Sequence, residues 1–423
     1  WRAGGSGPGA APGRADVQMS IDPLPIATVL ARLQPSFGWG GDLAVGARID
    51  VHSEGRLAAE IVIERSGGDL TVTDEVGTQA LGLRNLRLAL GAQDGVWTFS
   101  PYLSGQTLGV LAGAVVVRTT PEALWPEPQA TIEGAMELEV ANLGAWGTWV
   151  PAGWRLGGQL QTSALFGGRF GAPQFNGNVR GHALGARNFV EGVNVSDGEV
   201  AISLDGDRAV IERFTARAGT GTLDITGSAL LGAQPSAKLQ IQAEHFTLLG
   251  RVDRRIVASG QAQLGLTGDA LDLHGAFTID EGLIDFTRSD APALGADVQV
   301  VRASVTPVAD VAAPDPTASV RTVALDVKIN LGKKLQLRGR GLETGLRGEV
   351  QLSAPGGHLA INGTVSADNG TYAAYGKKLT IDRGLITFNG PPENPRLNIE
   401  ATRPLTDLRV GVQVTGTAMN PRV

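Results

Sequence analysis

The chain has 423 residues, 59 of them glycine; it is 42% hydrophobic, 5% aromatic, and carries a formal net charge of −6. So many aliphatic side chains with so little net charge exclude a disordered chain, although glycine stands at twice its typical ~7%. No clustered basic footprint is present, which excludes a nucleic-acid partner, and the absence of cysteine excludes disulfides and thiolate metal sites.

In chain order, residues 1–15 are rich in Gly, Ala and Pro and read as linker. A short helix is expected near residues 23–33, with Asp22 as N-cap, Pro23 at the first helical position, and Leu24, Ala27, Leu30 and Ala31 on one face. The longest apolar run, Leu108 to Val117, is ten residues, half of what a membrane-spanning helix needs. Pro121 to Trp125 could form one further helical turn. Ala141 to Trp154, with Trp146, Trp149 and Trp154 among glycines and prolines, reads as an irregular crossover.

Everything else alternates with period two, the signature of half-buried strands. Val323, Leu325, Val327 and Ile329 are separated by Ala324, Asp326 and Lys328, so one face is aliphatic and the other small or charged. The pattern recurs at Leu57 to Glu64, Val200/Ile202/Leu204, Leu264/Leu266, Leu271/Leu273, Leu335/Leu337, Val350/Leu352, Leu359/Ile361 and Val410/Val412/Val414. Turn signals separate the runs: Asp205-Gly206, Asp224 to Gly227, Gly268-Asp269, Glu281-Gly282, Pro355-Gly356-Gly357 and Asn369-Gly370. A weak internal repeat matches Gly260, Leu264, Leu271, Gly275, Asp280 and Gly282 to Gly348, Leu352, Leu359, Gly363, Asp368 and Gly370. The Pro/Ala-rich residues 308–319 read as an exposed loop. Segments 16–153, 154–307 and 320–423 read as the strand-bearing domains.

The fold class is therefore all-β, with one or two short helices. Sheets of more than ~10 strands curl or split, and almost no helix exists to cover the aliphatic face. Two arrangements stay open. The sheet can close into sandwiches whose core is filled by residues such as Val327, or it can stay parted as an elongated, curled, taco-like trough, an open solenoid-like groove. The scarcity of large aromatics and the unbroken alternation favour the trough.

The run Gly370-Thr-Tyr372-Ala-Ala-Tyr375-Gly376 through Ile381-Asp-Arg-Gly384 and Phe388-Asn-Gly390-Pro391-Pro392 to Asn394-Pro395 resembles the C-terminal domain of the TamB family. So do Leu397 to Arg403, Val410 to Gly416 and Asn420-Pro421, and upstream Pro292 to Val298 and Phe170 to Gly198 are similar to its segments. The resemblance is strong from Trp154 to Val423. It implies a protein of the Gram-negative periplasm, anchored in the inner membrane by an N-terminal helix and meeting an outer-membrane TamA-like barrel, with its periplasmic domains, through its extreme C-terminus. It also implies a link to outer-membrane protein assembly and to phospholipid transport. The anchor and the barrel-docking segment are expected to lie outside this sequence.

On that resemblance, the expected lining of a groove for phospholipid acyl chains is Val323, Leu325, Val327, Ile329, Leu335, Leu337, Val350, Leu352, Leu359, Ile361, Val410, Val412 and Val414. No cofactor, metal site or catalytic group is expected. His52, His182, His245, His274 and His358 lack a second ligand at zinc spacing, and Asp205 and Asp207 read as a hairpin turn. Two other readings compete with the lipid conduit: an assembly factor that pairs barrel strands at its sheet edge, and a passive spacer with a closed, dry core.

Overall fold

Asp94-Gly95 and Arg340-Gly341 show how this chain turns back on itself. Both residues of each pair have positive φ (49° and 77°; 48° and 84°), the geometry of a two-residue hairpin whose twist matches the flanking strands. Repeated along the sequence, such turns convert the alternation into a run of antiparallel neighbours. The structure, a computed structural model, describes residues 15–33, 38–74, 77–145, 150, 153–232, 235–287, 322–374, 377–404 and 409–423. The expected linker before Ala15, Trp146 and Trp149, the segment Pro292 to Val298, the loop 308–319 and Tyr375 lie outside those residues.

Two units are distinguished, Trp1–Ile241 and Gln242–Val423. The first holds β1 (Ala15–Pro25), α1 (Ile26–Leu33), β2 (Trp39–Gly41), β3 (Ala44–Ser53), β4 (Leu57–Gly67), β5 (Leu70–Asp74), β6 (Gly77–Ala80), β7 (Leu83–Gln93), β8 (Val96–Gly105) and β9 (Gly109–Arg118). It continues with β10 (Thr131–Val140), β11 (Trp154–Arg169), β12 (Ala172–Asn188), β13 (Val193–Gly206), β14 (Arg208–Ala218) and β15 (Gly221–Leu230). β16 (Ser236–Gly250) contains the division. The second unit holds β17 (Arg254–Thr267), β18 (Ala270–Asp285), β19 (Thr322–Asn330), β20 (Leu335–Gly339), β21 (Leu342–Ser353), β22 (Ala360–Ala374), β23 (Lys377–Gly390), β24 (Arg396–Pro404), β25 (Arg409–Thr417) and β26 (Asn420–Arg422).

In the first unit the ladder runs β1–β3–β4–β7–β8–β9–β10–β11–β12–β13–β14–β15, antiparallel throughout. A separate small sheet orders β2–β5–β6. In the second unit β17 to β26 follow chain order except at one place. There β19 and β20 both lie parallel to β18 and both pair antiparallel with β21. The all-β class read from the alternation is what the structure shows.

Three readings need correction. The helix starts at Ile26, not Pro23: Leu24 and Pro25 extend β1 against Val45 and Ala44. The ring of Pro25 disfavours helical geometry at Leu24, so the chain enters the helix only after it. Asp224 to Gly227, Glu281-Gly282 and Asn369-Gly370 are not turns but lie inside β15, β18 and β22, each at or beside a register shift. Glycine and asparagine there serve bulges that let long strands bend, not reversals. Leu359 precedes β22 and is exposed, because the one-turn helix Pro355–Gly357 and His358 hold the chain off the ladder until Ala360.

The internal repeat has a structural counterpart. Ala262 pairs with Gly275 in hairpin β17–β18, and Val350 pairs with Gly363 in hairpin β21–β22, the same register at matching positions. Asp280 accepts a hydrogen bond from Ser259 at 2.5 Å, and Asp368 pairs with Arg347 at the equivalent place.

Candidate functional site

Directly paired residues on neighbouring strands point to the same side, so the ladder registers decide whether the expected lining shares a face. Val327 lies between Gly275 and Leu352, and Leu352 opposite Ile361; Ile329 lies between Phe277 and Val350. Leu335 faces Leu346, and Leu337 is two residues further along the same strand. From β22 the face passes through Val365, Ile386 and Leu397 to Ile399, which pairs with Val414; Val412 and Val410 follow by alternation. Every expected lining residue except Leu359 therefore falls on one continuous aliphatic face.

Burial on that face is uneven. Val327, Leu335 and Val350 are buried, and Leu335 and Val350 belong to a cluster with Ile279, Leu331 and Val365. Towards the end of the chain cover is lost: Val412 is 40% and Val410 51% exposed.

The first unit has an aliphatic face of its own, with a covered part and an uncovered part. α1 turns Ile26, Ala27 and Leu30 onto it, with the small sheet supplying Trp39, Leu70 and Val72. Ile26, Leu30, Trp39, Leu70 and Val72 line a half-open apolar pocket of about 320 Å³ together with Leu43, Leu83 and Leu108. Beside it, Trp125 reaches back from the connection between β9 and β10 and meets Trp97 edge-on at 5.2 Å and Phe170 at 6.3 Å. An apolar pocket of about 380 Å³ lies against these rings.

From β11 onward in that unit the cover stops. The rung Thr162–Val179–Ile202–Ile211 and its neighbour Leu160–Gly181–Val200–Phe214 cross four strands with aliphatic or aromatic groups at every position but Thr162 and Gly181. None of the Val, Leu, Ile or Phe residues of β11 to β15 is buried; among hydrophobic residues only Ala216 and Ala218 are. No large side chain among the described residues is fully enclosed. A closed sandwich would bury both inner faces against each other; here one aliphatic face stays half in the open.

The opposite face is polar and paired across strands, as in Arg118–Glu133 at 2.9 Å and Arg255–Glu281 at 3.1 Å. Four histidines sit on it beside carboxylates: His52 with Asp16 and Asp50, His182 with Glu199, His245 with Asp280, and His274 with Asp272. Among the described residues no group of three or more His, Cys, Asp or Glu could hold a metal ion. Among the described residues Asp253 is the titratable group with a clear shift. The hydrogen bond from Arg251 at 2.8 Å, helped by the charge of Arg254, holds its carboxyl below the usual carboxylate range.

The alternation located the face but not its covers. Neither Trp125 nor the small sheet carries a periodic signal, since each reaches the face from a connection or a very short strand. The density of aromatics from Trp97 to Phe175, in a chain that is 5% aromatic, is the signal that marks them.

Fold and faces together define a class: an all-β protein whose strands present, in each unit, an aliphatic surface that its own residues cover only in part. Comparison with known proteins makes this specific. Residues 212–423 match the family model described as the TamB C-terminal domain, and the chain belongs to the TamB family. It is also similar to the translocation and assembly module subunit TamB of Haemophilus influenzae, at 25% identity over 302 residues, 69% of this chain. The match spans 23% of the length of that relative. Among the described residues no helix is long and apolar enough to cross a membrane.

Proposed function

We propose that this chain forms part of a conduit in the Gram-negative envelope that carries phospholipid acyl chains along its aliphatic face between the inner and outer membranes. The observation that carries this reading is the uncovered face of β11 to β15, where no Val, Leu, Ile or Phe is buried. An acyl chain laid on such a surface gains ~0.8 kcal/mol per buried methylene. The face offers half-exposed side chains rather than deep pockets, so contact is continuous and no single position holds the lipid fast. No acid, base or nucleophile is needed, and the outer polar face keeps the conduit wetted. Family membership supports a role in a translocation and assembly module with a TamA-like barrel as partner.

A second reading, strand-edge assembly of outer-membrane proteins, is favoured by the ladder ends. Among the described residues β1 has a register with β3 and β26 a register with β25, so each stands at an end of the described ladder, where backbone groups can meet a further strand. The two readings call on different surfaces.

The test is lipid carried by the purified chain, measured by mass spectrometry after extraction. Val179→Asp places a charge on the uncovered face and should cut bound phospholipid by about tenfold, since an unpaired carboxylate against hydrocarbon is strongly disfavoured. Arg180→Asp, on the outer face, should leave it unchanged. Equal lipid in both variants sinks the conduit reading and leaves the edge reading standing.

A further inference from the structure

The strand opposite β18 breaks once. β19 ends at Asn330 and β20 begins at Leu335, and both continue the same two ladders. The four intervening residues face three on β18 and two on β21, a bulge that neither ladder absorbs. Its ends are fixed. The Leu331 N–H donates to the Gly348 carbonyl at 2.9 Å, and the Lys334 carbonyl accepts from the Gly282 N–H at 3.1 Å. Gly332 has φ +65°, and a Cβ there would lie 2.1 Å from the Ile279 carbonyl oxygen. With Leu331 buried and Gly332 pressed on the neighbouring strand, Lys333 and Lys334 project outward from an anchored backbone.

They project into a concave cleft of about 900 Å³ on the polar side of the second unit. Gln336 and Arg338 line it from the positions that alternate with Leu335 and Leu337, and Lys378 closes the far wall. The three arginines of the cleft each hold a carboxylate: Arg255 with Glu281, Arg338 with Glu343, and Arg347 with Asp368. Those pairs cancel. Lys333, Lys334 and Lys378 have no acidic partner among the described residues, so they leave the cleft with a surplus of three positive charges. Neutral hydrogen-bonding groups lie beside them, the Thr371 hydroxyl and the amides of Gln336 and Asn369.

We infer that this cleft binds a phosphate group. Unpaired ammonium groups converging with hydroxyl and amide groups suit a compact, multiply charged oxyanion better than a spread of single carboxylates. The cleft falls within the ~300–1,000 Å³ of small-ligand sites and is concave, where a protein partner would meet a broad, flatter surface. The phosphate can belong to a soluble phosphate ester or to a lipid headgroup. Because the cleft lies on the polar side, it does not depend on lipid occupying the aliphatic face.

The test uses the full chain with two probes: inorganic pyrophosphate by calorimetric titration, and flotation with phosphatidylcholine vesicles with or without phosphatidylglycerol. The variant Lys333→Ala/Lys334→Ala/Lys378→Ala changes exposed side chains only and should keep the wild-type circular dichroism. Its charge-matched control is Arg48→Ala/Arg56→Ala/Arg118→Ala in the first unit. The lysine variant should bind pyrophosphate roughly tenfold more weakly or worse, and the control should bind as wild type. Pyrophosphate binding without capture of phosphatidylglycerol vesicles assigns the cleft to soluble phosphate esters. Lysine-dependent capture of those vesicles as well assigns it to headgroups. No pyrophosphate binding by the wild type, or equal losses in both triple variants, overturns the proposal.

Discussion

Asp253 shows how one side chain on a strand connection sets an acid response. Arg251 donates to it at 2.8 Å and Arg254 adds a second contact at 3.3 Å, and its pKa is lowered from the ordinary value of 3.8. A carboxyl depressed in the folded state contributes stability above its unfolded pKa and loses it as pH falls through the folded value. That contribution is therefore present at neutral pH and fades below about pH 4. Asp253→Asn should lower the melting temperature at pH 7 and leave it nearly unchanged at the acid end. Thermal melts of both proteins across pH 2–7 check this: the gap should close as pH falls, and a constant gap would mean that the carboxylate charge is irrelevant. None of this was legible in the sequence, where Arg251-Val-Asp253-Arg254 is an ordinary charged turn. The effect depends on which side chains the turn points together.

At the scale of the element, the hairpin β21–β22 depends on glycine in a way the alternation does not announce. Gly348 has φ +133°, and a Cβ there would stand 2.1 Å from the Thr364 carbonyl oxygen of the next strand; Gly363 repeats this against the Glu349 carbonyl oxygen at 2.3 Å. Both are backbone contacts, so no rotamer relieves them. Gly348→Ala should destabilise the second unit by about 3 kcal/mol, at the upper end of the ~1–3 kcal/mol that strained backbone costs. Gly265→Ala, in β17 with only ordinary contact at 3.6 Å from the Asp272 Cβ, should change it little. Denaturant titration of the two variants is the check, and similar midpoints would remove the special role given to Gly348. The sequence repeat had picked out Gly260, Gly275, Gly348 and Gly363, and their shared registers explain why. What it could not distinguish is a glycine that reverses the chain from one that bends a strand. Asn369-Gly370 has turn composition yet lies inside β22, where it forms the bulge opposite Thr344.

At the scale of the whole molecule, alternation carried the all-β class and most of the aliphatic face, since a period of two places every second residue on one side whatever the connections do. Twelve of the thirteen expected lining residues lie on that face. Leu359 does not, because local geometry around Pro355–Gly357 interrupts the period. How far the faces are covered was not legible, because cover comes from α1, the small sheet and Trp125, which lie in connections or very short strands and carry no period-two signal. Nor was the lysine bulge, whose placement depends on two strands sharing one parallel neighbour. A conduit requires a face that is open where a closed core would have it filled. In the open part Val179 is half-buried beside the exposed Arg180, and in the filled part Val327 is buried beside the exposed Lys328.

The most direct measurement is therefore in-cell photo-crosslinking with the probe placed in turn at Val179 and at Arg180, followed by mass analysis of the adducts. Phospholipid adducts at Val179 and none at Arg180 are the predicted result. Adducts at Val179 only to this chain's own strands would show a closed core and contradict the conduit.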